Sequence, residues 1–174
     1  SDLVAGLKKV ADFEISVAAY PEIHPEAESA EDDIDNLKRK IDAGASRAIT
    51  QFFFDNDAYE RYVERVRRAG IYVPIVPGIV PIHNFSAVRN FASKCGASIP
   101  AWLADRFDGL DRDPHTHSLV AAAVAAEQVF DLVDRGVDDF HFYTMNRPDL
   151  VFAICRLIGI RETGEAARRE LHAA

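Results

Sequence analysis

The sequence predicts an α/β fold with a parallel sheet, because strand-like apolar runs alternate with helical segments along most of its length. Hydrophobic residues make up 48% of the 174 residues, which is enough for one globular core. No internal repeat, low-complexity tract or flexible linker divides the chain. The pattern gives four β/α units, which form either a small open sheet or half of a (β/α)8 TIM barrel, a fold of about 250 residues.

The first unit has the clearest boundaries. The end of a helix, Asp2–Ala11, precedes the run Phe13–Ala19, which is apolar enough for a strand buried on both faces. Ser29 can cap the next helix, Ser29–Ala43, whose first turn is acidic and whose last turns are basic. Gly44 follows and ends this helix.

The second and third units follow the same logic. The run Arg47–Phe54 predicts a strand, and Ala58–Ala69 predicts a helix that Gly70 ends. The third strand, Tyr72–Ile79, contains prolines, which suit a strand end or a bulge better than a central ladder.

Three helices are predicted before the last strand, and the third of them is rich in Ala and Val, so we expect it to be well buried. They cover Asn84–Lys94, Pro100–Phe107 and Asp113–Arg135. The strand Asp139–Thr144 and the helix Pro148–Leu157 complete the fourth unit.

We divide the chain into one folded domain, residues 1–160, and a charged, Ala-rich tail, residues 161–174, which we expect to fray.

Composition narrows the class of protein. The formal net charge is −8 and no basic block is present, which argues against nucleic-acid or anionic-membrane binding. No long uncharged apolar run predicts a membrane span, and the first residues lack signal-peptide features. Cys95 and Cys155 have no metal-like spacing and are read as reduced thiols. We therefore expect a cytoplasmic protein without a metal site.

Polar residues at the carboxyl ends of the strands are the candidate site residues, because ligands of parallel-sheet folds bind there. Tyr20, Glu22 and His24 follow the first strand, either as a solvated Pro-rich turn or as a loop that lines a cofactor. Gln51 lies in an apolar run, where an unpaired amide costs about 1–3 kcal/mol. Its amide suits the edge of a heteroaromatic ring, unless neighbouring backbone satisfies it.

One helix carries a polar group of uncertain role. Asp33, Asn36, Arg39 and Lys40 have spacings that bring side chains to one face. They form either a solvated, salt-bridged surface or a grip on an anionic cofactor.

Other candidates are single side chains. Phe91 is either a core residue or a platform for a ligand, and Arg147 is either a surface residue or a partner for a substrate carboxylate. His115 and His117 are expected at a solvated helix start, without a third metal ligand. His141 is expected to be a satisfied core histidine.

Recognised motifs of other enzymes are missing from the sequence. It contains no GxGxxG, phosphate loop, nucleophile elbow or zinc signature. This disfavours a Rossmann dehydrogenase, a nucleoside triphosphatase and an α/β-hydrolase.

Five blocks together resemble bacterial methylenetetrahydrofolate reductases, in order over roughly residues 3 to 160. They are ISVAAYPEIHPEA (15–27), NLKRKIDAGASRAITQFFFD (36–55), IVPGIVPIHNF (75–85), IPAWLADRFDGL (99–110) and DFHFYTMNR (139–147). The resemblance implies a (β/α)8 barrel with non-covalent FAD. It also implies ping-pong hydride transfer from NADH or NADPH, through the flavin, to 5,10-methylenetetrahydrofolate.

The resemblance also implies roles for individual residues. The family's flavin contacts fall on a group of seven: Tyr20, His24, Ala27, Asp33, Asn36, Arg39 and Lys40. The family's folate contacts fall on Gln51, which would hydrogen-bond the pterin, on Phe91, which would pack on the ligand above the flavin, and on Arg147, near the aminobenzoyl-glutamate end.

Two departures from the family pattern matter. A further folate-contact glutamine of the family falls on Ala87 here. The chain also begins just before the counterpart of the fifth strand, so the family's general-acid glutamate has no counterpart in it. We therefore expect only the last four β/α units, and no catalytic residue, within this chain.

Two alternatives remain. A half barrel with exposed sheet edges would self-associate as a non-catalytic module, and a homo-oligomer is expected in either case. Another TIM-barrel flavoenzyme, such as a proline dehydrogenase, is disfavoured by the TQFFFD and FHFYTMNR blocks.

Overall fold

Parallel strands form the centre of the molecule, whose computed structural model describes residues 1–160. Strand β1 (Ser16–Ala19) pairs with β2 (Arg47–Thr50), and β2 pairs with β3 (Ile75–Val76). Strand β4 (Gly78–Ile79) pairs with β5 (His141–Phe142). All three pairings are parallel, so the predicted α/β class with a parallel sheet is confirmed. The predicted tail, residues 161–174, lies outside the described residues.

The predicted third strand is divided at Pro77. Proline has no N–H to give to a ladder, and the chain changes partner at this residue. Before it, β3 pairs with β2; after it, β4 pairs with β5. The carbonyl of Pro77 accepts a hydrogen bond from the N–H of His141 at 3.0 Å. The break therefore lets residues 75–79 pair with β2 before Pro77 and with β5 after it.

The helices begin and end within about two residues of their predicted limits. Their bounds are α1 (Asp2–Val10), α2 (Ala30–Asp42), α3 (Asn56–Arg68), α4 (Phe85–Cys95), α5 (Ala101–Phe107), α6 (Pro114–Asp134) and α7 (Pro148–Leu157), with a 3-10 turn at Leu110–Arg112. The hydroxyl of Ser29 caps α2 by accepting from the N–H of Asp32 at 3.1 Å, as the sequence predicts. No helix among residues 1–160 is long and apolar enough to cross a membrane.

The strands are shorter than predicted. β1 has four residues, and it is not buried on both faces: Ser16 and Ala18 are exposed while Ala19 is buried. Within residues 1–160 β1 pairs only with β2, so one side of it has no neighbouring strand. β2 ends at Thr50, and the three phenylalanines that follow are buried in a loop. Apolar composition here marks burial and not extended pairing.

Helix α6 supplies a large part of the core. Its inner face is made of small and branched residues, and six of them are buried: Ala121, Val124, Ala125, Ala126, Val129 and Leu132. Its outer face exposes Leu119, Phe130 and Val133. The expectation of a buried helix is therefore met on one side only.

A close contact joins β2, β4 and the residue after β5. The N–H of Gly78 donates to the Thr50 hydroxyl at 2.8 Å, and the Tyr143 hydroxyl donates to the Thr50 carbonyl at 2.9 Å. A Cβ on Gly78 would lie 2.2 Å from that carbonyl oxygen and 2.6 Å from the Tyr143 ring. Only glycine fits at this crossing point.

Candidate functional site

The loop after β1 and the helix α2 enclose a cavity of about 280 Å³, which we call the α2 cavity. All seven residues that resemble flavin contacts line it, together with two acidic neighbours: Tyr20, His24, Glu26, Ala27, Asp32, Asp33, Asn36, Arg39 and Lys40. The seven come from two separate segments of the chain. The structure thus brings this predicted group together in one place.

One hydrogen bond indicates which tautomer the neutral His24 ring adopts in the α2 cavity. Its Nδ1 accepts from the N–H of Glu26 at 3.1 Å, so the neutral ring carries its proton on Nε2. The ring of Tyr20 meets it edge-on, with centroids 4.5 Å apart. His24 can therefore offer an N–H donor, next to a flat aromatic ring, to a ligand in the cavity.

Asp33 is the buried acid of the α2 cavity, only 8% exposed. Its Oδ2 accepts from the backbone N–H of His24 at 3.3 Å, which ties α2 to the loop. Burial raises the pKa of this carboxyl, while the His24 hydrogen bond and the charge of Lys40 act in the opposite direction. A partly desolvated carboxylate of this kind is a suitable acceptor for a ligand hydroxyl.

Arg39 and Lys40 form no ion pair within residues 1–160, whereas Lys38 on the same helix pairs with Asp42 at 3.4 Å. Arg39 is exposed and Lys40 is half-buried, so the solvated surface and the grip on an anionic cofactor both stay predictions for this side of α2. Two cations next to a cavity, neither of them in a salt bridge within residues 1–160, are suited to bind a ligand phosphate.

The loop that carries Tyr20 and His24 is held in place from outside the cavity. The Glu22 carboxylate accepts from the Ser98 N–H at 3.0 Å and also from its hydroxyl. Gly96, with φ of +73°, lies so close to the loop that a Cβ would be 3.2 Å from the Ile23 carbonyl oxygen. Glu22 does not line the cavity, so it anchors the loop, contrary to the cofactor-lining role considered from the sequence.

Gln51 and Phe91 lie around one buried aromatic ring. The Gln51 Oε1 accepts from the N–H of Phe52 at 3.2 Å, so neighbouring backbone satisfies half of this amide. Phe91 is 43% exposed and stacks on Phe52, with ring centroids 5.4 Å apart. Phe91 is therefore not a core residue, and its outer face is open to a flat ligand.

Arg147 lies apart from that pair and lines a second cavity of about 260 Å³, which we call the histidine cavity. It occupies the N-cap position of α7 and is exposed. His83 and His117 line the same cavity.

His117 contradicts its prediction as a solvated residue. It is only 8% exposed, and its ring lies 4.9 Å from that of Phe107. Within residues 1–160 its Nε2 and the Nε2 of His83 are buried without a hydrogen-bond partner. His115 is exposed, as predicted, and His141 is half-buried at the edge of the Tyr143 ring, 4.8 Å away.

Sequence reasoning missed Met145 and Asn146. Both adopt positive φ angles, +49° and +59°, which are uncommon for residues other than glycine. They lie between β5 and Arg147, and such strained backbone clusters at functional sites. No sequence signal marks Met145, whereas the asparagine, which tolerates this conformation, was a signal that could have been used.

Comparisons with known proteins agree on one family. A family model described as methylenetetrahydrofolate reductase matches residues 1–159. The chain is 57% identical over 161 residues to the 5,10-methylenetetrahydrofolate reductase of Escherichia coli strain K12, covering 92% of this chain and 54% of that protein. It is 32% identical to methylenetetrahydrofolate reductase (NADH) 1 of Arabidopsis thaliana, covering 90% of this chain and 28% of that protein. It spans about half the length of the bacterial relatives.

A solved structure shares the fold. It is an uncharacterized protein from Clostridium thermocellum that binds two copies of 5-methyl-5,6,7,8-tetrahydrofolic acid, with a TM-score of 0.56 and 16% sequence identity. The likeness covers 88% of this chain and 55% of that one.

Proposed function

The chain belongs to the methylenetetrahydrofolate reductase family, and we propose on that basis that it is the C-terminal half of a (β/α)8 barrel that reduces 5,10-methylenetetrahydrofolate to 5-methyltetrahydrofolate. The cofactor is FAD and the electron donor is NADH or NADPH. The parallel pairings from β1 to β5 support half of a closed barrel, because within residues 1–160 β1 pairs only with β2 and its other side is left for a further strand. The setting is the cytoplasm, in keeping with two free thiols.

One observation carries the proposal: the seven residues that resemble flavin contacts line the α2 cavity together. Their chemistry fits FAD. Arg39 and Lys40 offer charge to phosphates, Asp33 offers an acceptor to hydroxyl groups, and the Tyr20–His24 pair offers a ring face and an N–H donor. When bound, the flavin supplies the hydride transfer, and these residues bind and orient it.

The folate is held by the other predicted residues. In this proposal the free part of the Gln51 amide binds the pterin edge, and Phe91, supported by Phe52, covers the flat ligand. Arg147 receives a carboxylate at the distal end. We assign no general acid to residues 1–160, so proton delivery is left to another part of the full barrel.

The cofactor assignment is tested by FAD titration of the full-length protein. Replacing both Arg39 and Lys40 by alanine removes two charge-assisted contacts to phosphate, so the Kd for FAD should rise about 10-fold to 100-fold. Lys38→Ala is the matched control, because it removes a cation from the same helix outside the cavity, and its Kd should stay within about twofold.

Two outcomes would contradict the cofactor proposal: equal FAD affinity in both variants, or a wild-type protein that binds no flavin. Folate-dependent oxidation of NADH or NADPH by the wild-type protein tests the activity separately.

Self-association is a second candidate property, favoured by one surface. Helix α1 exposes Leu3, Leu7 and Val10 on one stripe, and within residues 1–160 β1 pairs only with β2. We propose that this face is covered in a homo-oligomer or by the rest of the barrel. Sedimentation of the full-length protein across a concentration series distinguishes an oligomer from a completed monomeric barrel.

A further inference from the structure

We infer that Tyr143 is a positioning residue for folate reduction, because its hydroxyl holds the peptide group that carries Gln51. The inference deepens the proposed function and rests on it for the identity of the substrate. Tyr143 follows β5 and is half-buried. Its hydroxyl donates to the end of β2, the strand that Gln51 follows.

The peptide group between Thr50 and Gln51 is held from two sides. Its carbonyl, that of Thr50, accepts from the Tyr143 hydroxyl at 2.9 Å. Its N–H, that of Gln51, donates to the Ala19 carbonyl at 2.8 Å. A peptide group is planar and includes the Cα of the residue that follows it. Two hydrogen bonds at opposite edges of this plane therefore fix the point from which the Gln51 side chain extends.

The Tyr143 hydroxyl takes the place of a bond that the sheet does not make. Where β2 and β3 pair, the N–H of Ala48 donates to the Pro74 carbonyl at 2.9 Å. The same parallel pattern, continued along both strands, would bring the N–H of Gly78 to the Thr50 carbonyl. That N–H donates instead to the Thr50 hydroxyl at 2.8 Å. The carbonyl is thus left to a side chain from another strand end.

Backbone bonding and packing hold the Tyr143 ring in place. Its N–H donates to the Ile79 carbonyl at 2.8 Å, and the His141 ring meets it edge-on with centroids 4.8 Å apart. Gly78 leaves the space for the ring, because a Cβ there would lie 2.6 Å from it. Burial raises the pKa of the phenol above its ordinary value of 10.0, so the hydroxyl keeps its proton at neutral pH.

This hydrogen bond acts on the folate part of the proposed site. The Gln51 Oε1 accepts from the N–H of Phe52 at 3.2 Å, and the rest of the amide is the proposed pterin contact. A misplacement of about 1 Å in such a contact can slow a reaction about 100-fold. Neither Gln51 nor Tyr143 lines the α2 cavity, so binding of FAD should not depend on the bond.

The test is Tyr143→Phe in the full-length holoenzyme, with each half-reaction measured by stopped flow. The variant keeps the ring next to His141 and Phe52 and removes only the hydroxyl. The value of kcat/KM for folate reduction should fall about 10-fold, because the Gln51 amide is no longer aligned. Reduction of the flavin by NADH or NADPH, and the Kd for FAD, should both stay within about twofold.

Tyr59→Phe is the matched control for the loss of a hydroxyl that bonds to a strand. Tyr59 donates to the Ile75 carbonyl in β3 at 2.7 Å, and it does not line the α2 cavity. Both variants lose one bond to a carbonyl of the sheet, so both should unfold at a lower urea concentration than the wild type. Tyr59→Phe should leave both half-reactions within about twofold.

A double-mutant cycle with Gln51→Ala separates positioning from direct contact with the substrate. If Tyr143 acts through the Gln51 amide, its hydroxyl has nothing to align once that amide is removed. In the Gln51→Ala background, Tyr143→Phe should therefore change folate reduction by less than about twofold. A loss of about 10-fold in both backgrounds would overturn the positioning role, because the two residues would then act independently.

Four other results would overturn this inference and leave the proposed function intact. They are folate reduction at the wild-type rate in Tyr143→Phe, equal slowing of both its half-reactions, loss of FAD from it, and an equal loss of folate reduction in Tyr59→Phe. A wild-type holoenzyme whose flavin is reduced by NADH or NADPH but not reoxidised by 5,10-methylenetetrahydrofolate would overturn the proposed function, and this inference with it.

Discussion

The two cavities differ in how their residues are held. The α2 cavity is built from a capped helix and a loop fixed by Glu22 and Ser98, and its histidine is hydrogen-bonded. The histidine cavity lies beyond β4 and β5, which have two residues each, and next to Met145 and Asn146 at positive φ. The first cavity is thus pre-organised by local hydrogen bonds. The second depends on how the short strands are packed against each other.

Because the histidine cavity depends on this packing, a substitution at Gly78 should have the largest effect on stability. A methyl group there would overlap the Thr50 carbonyl and the Tyr143 ring, and the carbonyl is backbone that cannot easily move. Gly78→Ala should lower the free energy of unfolding by about 3 kcal/mol or more, because a clash with backbone costs more than the usual overpacking of core side chains. Urea denaturation of the full-length protein measures it.

Gly6→Ala is the matched control for Gly78. It lies inside α1, where an added Cβ would meet nothing within 4 Å. The change should raise the free energy of unfolding by about 0.5–1 kcal/mol, because alanine favours the helix. If both variants unfolded at the same urea concentration, the crossing point of the strands would not be the constraint described above.

The same contrast explains what the sequence could predict. Helix α2 was predicted within one residue at each end, because Ser29 and the flanking charges act locally. The strand limits were not, because extended pairing depends on distant segments: the buried run after Thr50 continues as loop, and β1 has only β2 as a neighbour among the residues that the structure describes. The apolar pattern alone predicts neither the loop after Thr50 nor the pairing of β1.

The site residues also show this difference between local signals and contacts with distant segments. The seven residues of the α2 cavity were found through resemblance, and spacing alone left Asp33 and its neighbours ambiguous. The burial of His117 was missed because a polar helix start predicts solvent exposure. Its contact with Phe107 comes from helix α5, which no local pattern links to α6.

Replacing Gln51 should have a smaller effect, and the effect should differ between the folate and the nicotinamide donor. Gln51→Ala in the full-length protein should lower kcat/KM for folate reduction about 10-fold or more, since a ligand hydrogen bond is lost. Reduction of the enzyme by NADH or NADPH should change less than about threefold, because the pterin contact is not needed in that half-reaction. Stopped-flow measurement of each half-reaction gives both values.

Gln128→Ala controls for damage to the phenylalanine loop. Gln128 donates to the Phe53 carbonyl at 2.8 Å, so it supports the same loop from outside the proposed folate site. Its replacement should affect both half-reactions alike. Equal losses in Gln51→Ala would indicate a structural role for that residue and count against pterin binding.

The smallest predicted effect concerns Asp33, where binding and stability oppose each other. Its pKa is raised chiefly by burial, so the folded chain binds a proton at this carboxyl more readily than the unfolded chain does. The stability from this group is therefore fully present below its unfolded pKa of about 3.8 and is lost as pH rises through the higher folded value.

Asp33→Asn keeps an acceptor for the His24 N–H and removes the buried charge. At pH 7, without FAD, it should unfold at slightly higher urea than the wild type, by less than about 1 kcal/mol, and this gain should vanish near pH 4. With FAD present the order should reverse, since the lost carboxylate weakens binding of the cofactor hydroxyls. A stability gain that persisted at low pH would show that the charge of Asp33 is not its cause.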